Sequence, residues 1–201
     1  LDLHTMKTDT LWKDELFASG ASFSPDGSQL LITGGAEAFN SIGQNIKPGQ
    51  IANSYDTQAF IMDIATRKVD PITKNFNPSI NSTTWNKKDN LIYLRVEEKD
   101  CEYMYTYNPK NRKFTRLPLK EELIRSFSVA DKELTAAYVG SGTSNSRRAY
   151  LLDLKKMNSV LLADPYAEKL SKMTLGEVKD WNFVSSGGDT IQGRYYLPPN
   201  F

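Results

Sequence analysis

Histidine and cysteine each occur once, as His4 and Cys101. Neither has a partner at metal-ligand spacing, and no calcium-loop signature is present. A single cysteine also leaves no internal disulfide. Serine-based acyl transfer would need a serine on a Gly-x-Ser-x-Gly elbow, a histidine to take its proton and a carboxylate to orient that histidine. No such elbow occurs in the sequence. The serine-rich stretch Gly140–Ser146 reads as a flexible loop between strands, and His4 falls in a polar turn where an exposed side chain is expected. The carboxylate pairs Glu97-Glu98 and Glu121-Glu122 are adjacent in sequence. Neighbours on a strand point to opposite faces, so neither pair can flank one bond as a glycosidase requires, and both are expected to be solvated turn charges. Cys101 opens a strand and is expected to be a half-buried structural thiol. Asn81-Ser82-Thr83 matches a glycosylation acceptor, which has meaning only in a eukaryotic secretory setting. No catalytic residue, metal site or cofactor is therefore assigned.

These groups sit in a chain of 201 residues with 25 basic and 24 acidic side chains. The near-neutral balance argues against a nucleic-acid partner or an anionic membrane surface. No apolar run reaches the roughly 20 residues of a membrane span. The sequence suits a periplasmic, secreted or cytoplasmic setting equally.

The positioning elements are announced by a repeat. Leu1–Thr8 aligns with Met62–Val69, and related segments recur at Thr106–Phe114 and Leu152–Val160. Each reads as a strand end, a polar turn with Lys or Arg, and a returning strand. From Asp2 to Asp63, Thr106 and Asp153 the spacings are 61, 43 and 47 residues. The two shorter ones approach the roughly 40–45 residues of a four-stranded propeller blade, and an insertion accounts for the longest. A second turn recurs after an aromatic residue, at Phe23-Ser24-Pro25-Asp26-Gly27, Trp85–Asn90 and Phe127–Lys132. A plain antiparallel sandwich offers no reason for such a period. The sequence thus predicts an all-β fold, an incomplete β-propeller of about three four-stranded antiparallel blades plus a partial one. The blades are expected at 1–17 (partial), 18–73, 81–117 and 124–163, with Leu1–Leu3 as a third strand. Open blade faces predict self-association, as a homo-oligomer, or packing against further polypeptide.

Beyond residue 164 the pattern changes. Residues 165–175 read as a linker, and 176–201 as a hairpin with strands at 177–184 and 190–197, closed by Pro198-Pro199. The run from Glu177 through Trp181, Ser185, Gly187-Gly188, Ile191 and Gly193 to Pro198-Pro199, following directly on a blade, resembles the junction of prolyl oligopeptidase family serine peptidases, relatives of dipeptidyl peptidase IV and acylaminoacyl peptidase. The Phe23–Gly27 turn is similar to that of TolB-like propellers. The resemblance implies that 176–201 are the first strands of an α/β-hydrolase domain whose serine, acid and histidine follow Phe201. It implies a propeller that gates access of short peptides to that domain, with no cofactor in the reaction. In such peptidases, loops joining second to third strands face the catalytic domain. Here these are the insertion Gly34–Thr57, Glu97–Cys101 and Gly140–Arg147, all on one face by strand parity. Phe39, Ile42, Ile46, Ile51 and Tyr55 give the insertion apolar groups to pack with. Asn40, Gln44, Glu97, Glu98, Arg147 and Arg148 are the candidate substrate-facing residues. Glu97-Glu98 lacks the aromatic flank of amine-binding glutamates, so dipeptidyl specificity is not implied. The alternative is a non-enzymatic TolB-like propeller that binds a protein or peptide partner.

Overall fold

The computed structural model describes residues 1–13, 16–50 and 54–201. The fold is an incomplete β-propeller built from four-stranded antiparallel blades. The first blade comprises β1 (Ala18–Phe23), β2 (Gln29–Gly35), β3 (Thr57–Asp63) and β4 (Val69–Asp70), paired in that order. The second comprises β5 (Ser79–Trp85), β6 (Ile92–Glu98), β7 (Cys101–Asn108) and β8 (Lys113–Arg116). The third comprises β9 (Leu123–Val129), β10 (Thr135–Ser141), β11 (Arg148–Asp153) and β12 (Asn158–Ala163). A short helical turn, Ala167–Ser171, precedes the separate hairpin of β13 (Val178–Val184) and β14 (Thr190–Tyr196). No helix among the described residues is long and apolar enough to cross a membrane.

The chain divides into two compact units. The first holds residues 1–98 and 104–116, and the second holds 99–103 and 117–201. In the first, Leu31, Phe60 and Met62 form the centre of one blade, and Ile92, Leu94, Val96 and Tyr107 that of the next, all nearly inaccessible to solvent. In the second, Ile124, Tyr138, Tyr150 and Leu152 play the same part. β3 and β6 bury consecutive residues and so read as continuous apolar runs, whereas β10 and β11 alternate, with Leu151 exposed between buried Tyr150 and Leu152. Every residue of β1 is exposed, and so is nearly all of β12.

The repeated turn has one mechanism. Asp63 Oδ1 accepts hydrogen bonds from the Thr66 N–H (2.8 Å) and hydroxyl (2.7 Å), and Arg67 takes the positive φ that closes the turn. Asp153 accepts the Lys155 and Lys156 N–H groups, with Met157 at positive φ. In the second blade the equivalent residue is Asn108, which accepts the Lys110 N–H, with Arg112 at positive φ. The marker there is thus Asn108 rather than Thr106, and the intervals from Asp63 to Asn108 to Asp153 are both 45 residues. All three turns have the same length. Asp2 repeats the geometry, accepting the His4 and Thr5 N–H groups with Met6 at positive φ. Residues 1–3 nevertheless form no strand, contrary to expectation, because no strand among the described residues pairs with them. His4 is exposed.

The turn after β1 is held by Asp26, which accepts the Ser24 hydroxyl (2.6 Å), the Ser28 N–H (3.0 Å) and the Ser28 hydroxyl (2.9 Å). Gly27 supplies the positive φ, and its N–H returns to the Ser24 carbonyl. These donors favour the carboxylate, Ser24 foremost, and draw the Asp26 pKa from 3.8 down to about 2. A lowered native pKa contributes stability above the unfolded value, lost as pH falls from 3.8 toward 2. An NMR titration should place the Asp26 midpoint near 2 in the native chain. Ser24→Ala should move it toward the ordinary value; an unmoved midpoint would mean that the Ser24 contact does not form in solution.

Candidate functional site

In the first unit, the insertion between β2 and β3 opens with a short turn, Ala38–Ser41. Phe39, Asn40 and Ser41 all have φ near +60°. Left-handed conformations cost L-residues roughly 1–2 kcal/mol each. Burial of Phe39 offsets this: it is 2% exposed and stacks edge-on with Trp12 (5.2 Å) and Phe60 (5.3 Å). Ile42 packs on the same cluster. Ile46 and Tyr55 do not; both are exposed, Tyr55 at 98%. Ile51 lies outside the described residues.

Asn40 faces solvent at the exposed end of this turn. Gln44 lines a cavity of about 180 Å³ whose other walls include Asn45, Gln58, Lys74, Asn75 and Asn77. Asn45 donates to Asn75 across this site (2.8 Å), and Gln58 donates to the Gly43 carbonyl (3.0 Å). Both carboxamide functions can donate and accept, which suits peptide groups. Asn45, Gln58, Asn75 and Asn77 escaped sequence reasoning, although Asn75-Phe76-Asn77 marks a polar pair around a buried-type aromatic. A larger cavity, about 380 Å³, is bounded by Ser19, Ser22 and Thr33 of the first blade and Asn81, Ser82 and Thr83 of the second. Glu97 is exposed, while Glu98 accepts the Tyr105 hydroxyl at 2.9 Å. The two glutamates are therefore separated by strand alternation.

In the second unit, the expectation of a solvated Glu121 is overturned. Its side chain is 2% exposed. Glu121 Oε1 accepts the Tyr150 hydroxyl (2.6 Å) and lies 3.7 Å from Arg148 Nη1. Arg148 Nε in turn pairs with Asp164 at 2.6 Å. Burial first, then the bond to Glu121, pushes the Tyr150 phenol up to about 12. Gly140 makes the approach feasible, since a Cβ there would stand 2.7 Å from that of Glu121. Gly140–Ser146 is accordingly not a plain flexible loop. Gly140 and Ser141 belong to β10, and the Gly142 N–H donates to Asn145 Oδ1 (2.8 Å). Arg147 is exposed and Arg148 is engaged within this network. Glu122 departs from a solvated turn charge as well, pairing with Arg194 at 2.7 Å. Cys101 is buried rather than half-buried, at 4% exposure, and its environment raises its pKa chiefly through desolvation. Among the described residues no cluster of His, Cys, Asp or Glu forms a metal-holding group.

No protein-family model and no curated protein sequence matches the chain. Solved structures do match in fold. An acylaminoacyl peptidase, solved in complex with Z-Gly-Gly-Phe-chloromethyl ketone, superposes with a TM-score of 0.64 at 18% identity, over 93% of this chain and 27% of its own. The Pyrococcus horikoshii acylaminoacyl peptidase gives 0.62 at 16% identity, over 86% and 24%. TolB from Acinetobacter baumannii gives 0.56 at 19% identity, over 81% and 36%. The chain spans about a quarter to a third of the length of these proteins. Both peptidases and TolB carry propellers of this kind, and the relationship lies at the level of that fold.

The two arginines should separate by experiment. Arg148→Ala leaves the buried Glu121 short of a cation and should lower unfolding stability by about 1–3 kcal/mol. Arg147→Ala should leave it within about 0.5 kcal/mol of the parent. Urea unfolding of both variants measures this, and equal losses would contradict the assignment of Arg148 to the Glu121 network.

Proposed function

We propose that the chain is the propeller segment, with the start of the catalytic domain, of a prolyl-oligopeptidase-type serine peptidase acting on short peptides. One observation carries this reading. Residues 1–164 make up about four-fifths of the chain, close to the share that superposes on TolB. The superposition on acylaminoacyl peptidase covers 93%, which necessarily includes part of 165–201. On this reading 165–175 link the blades to 176–201, the first strands of the hydrolase domain. The triad lies in that domain, and the mechanism is acyl transfer to serine followed by hydrolysis. The blades contribute access and orientation, which lower the entropic part of the barrier. Asn40, Gln44, Glu97, Glu98 and Arg147 are the proposed substrate-facing groups. Arg148 supports the loop that presents Arg147.

The second reading, a TolB-like binding propeller, is favoured by the TolB superposition over 81% of the chain. The two readings differ in the polypeptide that accompanies the blades. A fluorophosphonate should not label the 201 residues alone. It should label a longer polypeptide in which a roughly 200-residue α/β region with Gly-x-Ser-x-Gly and a late histidine accompanies them. Labelling of the 201 residues themselves, or further blades in place of that region, would overturn the peptidase reading.

A further inference from the structure

One side chain of the hairpin β13–β14, Arg194, reaches several groups of its unit outside the hairpin. Arg194, on β14, places Nε 2.5 Å from Asp100 Oδ2 and Nη1 2.7 Å from Glu122 Oε2. Nη2 donates to Cys101 Sγ (3.3 Å), and Asp180, its cross-strand neighbour on β13, stands 3.4 Å from Nε. Asp100 and Cys101 lie at the beginning of β7, and Glu122 directly precedes β9. The two strands meet there through a single parallel rung, Glu102 against Leu123, with the Glu102 N–H donating to the Glu122 carbonyl. Three carboxylates, Asp100, Glu102 and Glu122, thus gather where backbone pairing is minimal. Arg194 supplies their counter-charge together with Arg125, which contacts Glu102 at 3.3 Å.

The rest of the hairpin shows the contrast. The Arg194 side chain is 18% exposed, whereas Trp181 is 52% and Tyr196 68% exposed. A planar guanidinium directs Nη1 at the Glu122 carboxylate and Nη2 at the Cys101 thiol at fixed angles, which a lysine cannot do, while Nε meets Asp100 and Asp180 by charge, without a hydrogen bond. An isolated two-stranded hairpin is at best marginally stable in water. The order of this one therefore depends on what holds it.

We propose that Arg194 is a positioning residue: a four-point clasp on Asp100, Cys101, Glu122 and Asp180 that docks the β13–β14 hairpin onto the start of β7 and β9. The clasp stands on the geometry of this unit alone. If the peptidase reading is also right, it sets where the catalytic domain begins relative to the third blade.

Hydrogen exchange on the full 201-residue chain tests the clasp independently of any activity. Arg194→Glu should raise exchange in 178–196 about tenfold or more and leave the amides of 123–163 unchanged. Glu122→Arg alone should have the same effect, and the Arg194→Glu/Glu122→Arg pair should recover most of the lost protection. Arg194→Lys should recover only part. Hairpin exchange within twofold of the parent in Arg194→Glu would overturn the proposal. So would equal loss of protection across 123–163, which would make Arg194 a general stabiliser, or failure of the charge swap to restore protection.

Discussion

The blades rest on one local interaction. A carboxylate or carboxamide at the end of the third strand accepts the N–H groups of the turn that follows, at Asp63, Asn108 and Asp153. The ionised form is favoured by these donors, so the Asp63 and Asp153 carboxyls are held below the usual 3.8. A side chain that mimics a backbone acceptor leaves the turn a single length. Turn length in turn sets the register of the third and fourth strands, because a slip of one residue would exchange the two faces. With register set, the apolar runs of the middle strands are forced inside.

What the blades leave uncovered decides where chemistry can occur. Polar groups concentrate on the insertion and on the ends of β6 and β10, while the middle strands hold the core. The carboxamides around Gln44 can both donate and accept, and so can meet a peptide backbone without regard to sequence. Glu121 shows the opposite outcome. Its charge is enclosed by Tyr150, Arg148 and Gly140, and it organises the loop that presents Arg147 to solvent. Two acidic residues side by side thus have unrelated fates, one supporting a loop and the other gripping the C-terminal hairpin.

The strands were largely legible because propeller blades advertise themselves locally. Phe23–Gly27 and Leu152–Val160 each carry their own turn chemistry within a handful of residues. Identifying Thr106 as the repeat marker failed by two positions, since Thr106 and Asn108 face the same side of β7 and only the hydrogen bond to Lys110 tells them apart. The site was less legible. Asn40 and Gln44 were recognisable as polar residues on a long insertion, but Asn75 and Asn77 reach the same cavity only through the folding of the blade.

By itself the sequence determined the period, the turns and the hairpin of the tail, because those depend on contacts between residues a few positions apart. Tertiary structure alone decided that Glu121 is buried and that Arg194 is a clasp. Glu121 and Tyr150 are 29 residues apart, and Arg194 and Cys101 are 93. At such separations a charge looks the same in sequence whether water or a partner will surround it, and only the approach of distant strands settles which.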